Sequence, residues 1–270
     1  MSRIDAALHG LRALDSIAAQ PSVMTRFDPR AKILATLAFI IVVVSFDRYS
    51  VLALLPLALF PVALAALGEV PLGLIGRKLM IAAPFALLIG VFNPLLERAP
   101  LLELFGVAIS AGWVSFASIL LRFMLTVSAA LLLVATTGFH PLCNGLTQLG
   151  LPRAFATQLL FLHRYAAVLV GEAARMGAAR ELRAGGRRGL GLAVYATLLG
   201  HLLLRALARA QRIHQAMLAR GFDGELRSSG QGRWRLADGV FLGASCAVFL
   251  LARQIDLPRA LGRLLLGLAA

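Results

Sequence analysis

The chain has 270 residues, of which 59% are apolar and only 15% are charged. A typical soluble domain is about 45–50% apolar and about 25% charged, so this composition excludes a soluble globular protein, a disordered chain and a coiled coil. The net charge is +14, from 27 basic and 13 acidic residues. Because the arginines lie beside apolar stretches, they indicate cytoplasmic loops and contacts with anionic headgroups rather than a nucleic-acid surface.

The N-terminal residues 1–27 predict an amphipathic helix and not a secretory signal. They contain no continuous apolar core of the length that a signal peptide needs. Apolar residues instead recur every three or four positions, at Ile4, Leu8, Leu11, Leu14 and Ala18. Such a helix lies in the headgroup layer or packs on the cytoplasmic side of the protein, and the sequence leaves both alternatives open.

Three uncharged runs predict the first three membrane spans, because a transmembrane helix needs about 20 mostly apolar residues. These runs are residues 33–46, 49–68 and 79–96. The first run is short, and the stem of Lys32 extends it because a lysine side chain can snorkel to the membrane surface. Asp28 followed by Pro29 supplies an N-cap and a proline at the first helical position, so the first helix begins there.

The apolar block 104–152 is interrupted by a single charge, Arg122. Either two spans meet in a turn at this arginine, or one long span covers about 112–137. No turn residue flanks Arg122, so we predict one long helix, preceded by an outer loop at 97–111. A charge inside a membrane is costly, and Arg122 must therefore face the helix bundle or reach an interface.

Positive charges predict the orientation. Basic residues are more frequent before the first and third spans than in the links that follow them, which places the N-terminus in the cytoplasm. Residues 164–235 carry 13 arginines against 4 acids, so this segment is also expected to be cytoplasmic. A last span near 237–253 returns outward, which makes five spans, or six if 190–207 also crosses.

The predicted fold is therefore an all-α polytopic protein of the cytoplasmic (inner) membrane with four regions. Residues 1–27 are the amphipathic segment, and residues 28–138 hold spans one to four. Residues 139–235 form long cytoplasmic amphipathic helices. Residues 236–270 hold the last span and a tail.

The cytoplasmic region contains a weak internal repeat with an offset of 37 residues. Four identities align 172–184 with 209–221, and both segments are amphipathic helices that end in an arginine followed by small residues. Gly221 stands where a left-handed residue would cap the second helix. Arg183 and Arg220 then either interact with the helix dipoles or dock partner subunits. In the second case, two similar helix ends suggest two similar partners, or two copies of one.

Sequence motifs for nucleotide and metal binding are not found. Neither lysine follows a glycine in a phosphate loop, so the chain is not expected to bind nucleotide in that way. His140 and Cys143 have a ligand-like spacing, but two donors separated by a proline favour a turn at a helix end over a metal site. No cofactor is expected, and no nucleophile–base pair is evident.

Motifs spread over about residues 25–255 resemble the transmembrane T component of energy-coupling factor (ECF) transporters. Asp28, Pro29, Arg30 and Lys32 resemble the family's D-P-R-x-K motif at the start of the first span. Further similar stretches are Thr136-Thr137, Leu149-Gly150-Leu151-Pro152, Arg164-Tyr165 and Glu172. Ala219-Arg220-Gly221 fits the family's second arginine motif. Leu182-Arg183-Ala184 keeps only the arginine and a small residue of the first, and Arg180 is the competing choice there.

The resemblance implies a coupling role. T components link a substrate-binding membrane subunit to two cytoplasmic ATPases, and their motif arginines enter grooves on those ATPases. Arg183 and Arg220, flanked by Ala184, Ala219 and Gly221, would be the docking residues. The helices at 153–184 and 190–221 would be the coupling helices, whose small residues allow close crossing. The partners implied are these subunits and the lipid bilayer, with no nucleic acid.

The N-terminal extension with Arg3-Ile4-Asp5 resembles the cobalt/nickel type of this family, often called CbiQ. The transported substrate is then expected to be cobalt or nickel, and the chain is expected to be a non-catalytic permease subunit that does not itself hold the metal. Two alternatives stay open: a T component for a vitamin such as biotin, and a polytopic membrane enzyme or scaffold without an ATPase partner.

Overall fold

The structure is a computed structural model that describes residues 17–96, 100–104, 107–183, 192–224 and 234–254. The predicted N-terminal amphipathic helix falls almost wholly outside the described residues, as do Ala184 and the C-terminal tail. The described residues form two compact units. The larger unit comprises residues 17–138 and those from 234 onward, and the smaller unit comprises residues 139–224.

The larger unit begins with a 3-10 turn at Val23–Arg26, followed by α1 (Pro29–Val44), α2 (Val51–Leu54), a 3-10 turn (Leu55–Ala58) and α3 (Leu59–Leu67). It continues with α4 (Leu72–Leu96), β1 (Pro100–Leu104), β2 (Val107–Ser110) and α5 (Ala111–Thr137). The smaller unit contains α6 (Phe139–Gln148), α7 (Arg153–Arg183) and α8 (Leu192–Leu218). The chain then returns to the larger unit with α9 (Leu236–Gln254).

Helices dominate the fold, which confirms the predicted class. The region expected to be an outer loop at 97–111 instead contains a short antiparallel hairpin, in which β1 pairs with β2. Branched Val107 and Ile109 favour an extended backbone there. The single long helix predicted around Arg122 is confirmed as α5, which has 27 residues.

Two predicted spans differ in detail from the observed helices. The run 49–68 is not one regular helix, because a 3-10 turn containing Pro56 separates α2 from α3. Proline lacks the N–H that an α-helical hydrogen bond requires. The third span begins at Leu72 and not at 79, since its basic residues Arg77 and Lys78 continue the helix and have stems long enough to reach a polar layer.

Within the residues that the structure describes, four helices are long and apolar enough to cross a membrane: α4, α5, α7 and α9. The helix at the predicted first span, α1, has 16 residues and is not one of them. The helix α7 was predicted to be cytoplasmic, but its first half, 154–171, carries only one charge, Arg164. The segment Val51–Leu67 is apolar but shorter. These helices make the chain a multi-pass membrane protein, while the cytoplasmic placement of α7 stays a prediction from its arginine content.

Aromatic side chains form the centre of the larger unit. Phe39 of α1 lies 4.7 Å from Phe60 of α3 and 5.4 Å from Phe249 of α9, measured between ring centroids. Phe60 and Phe249 meet edge to face at 4.9 Å. Such aromatic contacts contribute about 0.5–1.5 kcal/mol each beyond buried area, so this cluster holds the three helices together.

Arg122 reaches the end of a neighbouring helix, as its position in a long apolar helix requires. Its guanidinium donates to the carbonyl oxygens of Phe46, at 3.0 Å, and of Asp47. These carbonyls follow the C-terminus of α1, where the helix dipole and unpaired carbonyls attract a cation. The charge of Arg122 therefore joins α5 to the C-terminus of α1.

Replacing Gly68 by alanine is expected to lower the melting temperature of the detergent-solubilised chain. An added Cβ would lie 2.4 Å from Cγ2 of Thr136 and 2.8 Å from the carbonyl oxygen of Leu64. Overpacking of this kind costs typically 1–3 kcal/mol. Gly76→Ala is the matched control, since no atom lies within 4 Å of its added Cβ. Equal melting temperatures for the two variants would contradict the close approach at Gly68.

Candidate functional site

Arg183 is the last residue of α7, and its side chain is exposed. It lies beside the first half of α8, where Val194 and Leu198 line the same cleft. Among the described residues, no ion pair or hydrogen bond engages its guanidinium. Within the described part of the chain, the arginine predicted for the first motif is thus an unpaired cation at a helix end.

Arg220 follows the C-terminus of α8 in a tight turn. Gly221 has the predicted left-handed conformation, with φ of +78°. The Gly221 N–H donates to the Leu218 carbonyl, and the Phe222 N–H donates to the Met217 carbonyl, both at 3.0 Å. These bonds satisfy the terminal carbonyls without the arginine side chain, which is exposed and has no partner among the described residues.

The two arginine-bearing ends lie at opposite ends of an antiparallel helix pair. Phe222, next to the Arg220 turn, packs 6.5 Å from Phe161 near the start of α7. Arg183, in contrast, lies at the far end of α7 beside the first half of α8. At 1.5 Å per residue, the 22 residues from Phe161 to Arg183 span about 33 Å. The two cations are therefore too far apart to contact one site.

An ion-pair cluster joins the middle of the two helices. Glu172 of α7 accepts a hydrogen bond from Arg175 on its own helix and another from Arg205 of α8, at 2.6 Å. The sequence singled out Glu172 only through the family resemblance and did not indicate Arg205. The two residues are 33 positions apart and lie on different helices. Helical periodicity relates residues within one helix, so it could not have identified this pair.

Two residues of the span-start motif, Asp28 and Lys32, are buried. Asp28 caps α1 by accepting from the Arg30 N–H at 2.9 Å, as the Asp-Pro pair predicts. Lys32 is 3% exposed and donates from Nζ to the carbonyl oxygen of Thr136, at 3.2 Å, near the end of α5. The motif therefore fixes the start of α1 to the end of α5.

Asp238 completes this buried cluster, and sequence reasoning missed it. Its carboxylate is 1% exposed and accepts from the backbone N–H of Asp28 at 2.7 Å and from that of Arg235 at 2.8 Å. It lies 210 residues from Asp28 along the chain. Its only local signal is an acidic residue in the first turn of α9, which is common at helix N-termini.

Metal-ligating side chains are dispersed. His140 is exposed and Cys143 is buried on α6, and His163 stacks on Phe139 with ring centroids 4.2 Å apart. In the part of the chain that the structure describes, no three His, Cys, Asp or Glu side chains come together as metal ligands.

Comparison with known proteins identifies the family. The family model CbiQ, described as "Cobalt transport protein", matches residues 20–231. This match includes the span-start motif and both arginine-bearing helix ends. No curated protein matches the chain. Since the family model covers most of the sequence, the chain belongs to the CbiQ cobalt transport protein family.

Proposed function

We propose that this protein is the coupling subunit of an ATP-driven, ECF-type cobalt importer of the inner membrane. It would transmit the motion of two cytoplasmic ATPases to a separate membrane subunit that binds the substrate. Membership of a cobalt transport family supports this substrate over a vitamin and supports a permease subunit over an enzyme.

One observation carries the coupling proposal: two exposed arginines, which have no ion-pair partner among the described residues, lie at opposite ends of an antiparallel helix pair. Arg220 is not needed for capping, since backbone bonds and Gly221 close that helix end. An exposed guanidinium presents several donors in a rigid fork that matches acceptor groups on a partner. A distance of about 33 Å along α7 separates the ends and suits two ATPases better than one.

The rest of the chain suits a rigid coupler. Glu172 ties the middle of α7 to α8 through Arg205, so a force on one arginine-bearing end would move the pair together. The buried Asp28–Lys32–Asp238 cluster ties the membrane helices of the larger unit to one another in a similar way. The N-terminus and residues 139–235 would lie in the cytoplasm, where the ATPases are.

The direct test measures ATPase attachment and cobalt uptake. The tagged chain is co-expressed with the ATPases and the substrate-binding subunit from the same organism. Both ATPase copies are expected to remain bound to it through affinity purification in detergent. Cells lacking only this chain are expected to accumulate radiolabelled cobalt at the background level. Purification without any ATPase, together with undiminished uptake in its absence, would contradict the proposal.

Metal choice is expected to lie outside this chain. Selective metal binding needs several convergent donors of suitable softness, and its five His and two Cys are few for that purpose. Replacing all seven by alanine should leave the ratio of cobalt to nickel accumulation unchanged in cells with the full set of subunits. Cys143→Ala alone is the control for packing, since this side chain is 1% exposed. A changed ratio in the sevenfold variant would locate a metal site in this protein.

A further inference from the structure

A basic cleft lies between the second half of α7 and the first half of α8. It has a volume of about 550 Å³. Five of its lining residues are basic, and they are Arg175, Arg180, Arg183, His201 and Arg205. Glu172 is the one carboxylate among the described lining residues. The cleft therefore carries a clear excess of positive charge.

The ion pairs within the cleft organise its donors without neutralising them. Glu172 engages Arg175 and Arg205 simultaneously, and their side chains remain 67% and 64% exposed. Each guanidinium has further N–H groups beyond the one given to Glu172. Arg180 has no ion pair among the described residues. An anion in the cleft would thus meet several donors that are already held in place.

The cleft also has apolar lining residues. Met176 of α7 and Val194 and Leu198 of α8 line it beside the arginines. Leu204 follows His201 by about one helical turn and is 64% exposed. Exposed apolar surface beside a polar rim marks a site for lipid or another macromolecule. The complementary ligand has an anionic head and an apolar tail.

We propose that this cleft binds the phosphodiester headgroup of an anionic phospholipid, whose acyl chains contact Met176, Val194 and Leu198. Basic pockets between helices at the cytoplasmic side of a membrane are suited to such headgroups. Free phosphate shares the anionic chemistry but gains nothing from the apolar wall, and a cobalt cation is repelled by the arginines. The cytoplasmic placement of the cleft rests on the proposed function, and Arg183 belongs both to the cleft and to the proposed docking residues. The test below therefore changes Arg175 and Arg205, to which the docking proposal assigns no contact with the ATPases.

The test compares lipid affinity between matched double variants of the full chain. The protein is purified in neutral detergent and titrated with phosphatidylglycerol or phosphatidylcholine, and bound lipid is counted by native mass spectrometry. Arg175→Ala with Arg205→Ala should weaken phosphatidylglycerol binding at least tenfold, since charge-assisted hydrogen bonds are lost. Arg209→Ala with Arg212→Ala removes two exposed charges of α8 that do not line this cleft, and should weaken binding less than twofold.

Further measurements separate the lipid from other ligands. Wild-type protein should bind phosphatidylcholine at least tenfold more weakly, millimolar inorganic phosphate should not displace phosphatidylglycerol, and the cleft double variant should still retain the ATPases. Arg175→Lys with Arg205→Lys keeps the charges and should retain most of the phosphatidylglycerol binding. If the alanine variant fails to fold, this lysine variant is compared with the wild type in its place. The proposal would be overturned if both alanine pairs weakened phosphatidylglycerol binding equally, or if inorganic phosphate displaced the lipid. It would also be overturned if phosphatidylcholine bound as tightly as phosphatidylglycerol, or if the cleft double variant lost the ATPases together with the lipid.

Discussion

Combined replacement of Arg183 and Arg220 by alanine is expected to release both ATPases and to stop cobalt uptake. Each guanidinium would lose charge-assisted hydrogen bonds worth about 1.5–3 kcal/mol in a partner's groove. A single replacement should weaken attachment about 10- to 100-fold, and the pair should do so roughly 10²- to 10⁴-fold. Retention of the ATPases through affinity purification and radiolabelled cobalt accumulation are the two measurements.

Controls distinguish docking from helix stabilisation. Arg212→Ala removes an exposed charge of α8 about two turns before Arg220 and should leave attachment unchanged. Arg220→Lys keeps the cation near the helix C-terminus, a contribution of about 0.3–1 kcal/mol, but loses the planar fork. This variant should melt like the wild type and still bind the ATPases weakly. Full attachment of the lysine variant would mean that a positive charge at this helix end is sufficient and that the planar guanidinium is not required.

The register of the first arginine motif has its own test. Arg183 is exposed at the helix end, whereas Arg180 is half-buried one turn earlier. We therefore expect Arg183→Ala to weaken ATPase attachment more than Arg180→Ala does. The reverse order would transfer the docking role to Arg180.

The second large effect is expected at Asp238. Its buried carboxylate accepts the backbone N–H of Asp28, which is buried, and that of Arg235, which is an exposed residue. Alanine would leave the Asp28 N–H without a partner. An unsatisfied buried donor costs about 1–3 kcal/mol, so Asp238→Ala should destabilise the protein by about that amount. It would also remove a carboxylate that lies within electrostatic reach of Lys32. A marked fall in the melting temperature of the detergent-solubilised chain would report this loss.

Two further variants define the role of the cluster. Asp47→Ala removes an exposed carboxylate and should leave the melting temperature near that of the wild type. Asp238→Asn keeps the shape and one acceptor oxygen, so its melting temperature should fall between those of the wild type and the alanine variant. If Asp238→Ala melts like Asp47→Ala, the cluster does not hold α9 to the start of α1.

The sequence by itself was sufficient to predict the membrane class and the helix features that depend on neighbouring residues. Composition determined the membrane class, and the lack of turn residues beside Arg122 predicted one long helix there. Asp28 followed by Pro29 determined where α1 begins, and Gly221 determined how α8 ends. Each of these features depends on residues within a few positions of one another, where propensity, capping and backbone conformation act.

Only the tertiary structure decided which distant residues meet. Asp238 joins Asp28 across 210 residues, Lys32 joins Thr136 across 104, and Arg205 joins Glu172 across 33. No periodicity relates such pairs, because side chains from different helices are brought together by packing and by the cost of leaving polar groups buried without partners. The opposed positions of Arg183 and Arg220 likewise follow from the antiparallel packing of α7 on α8, which no local sequence signal determines.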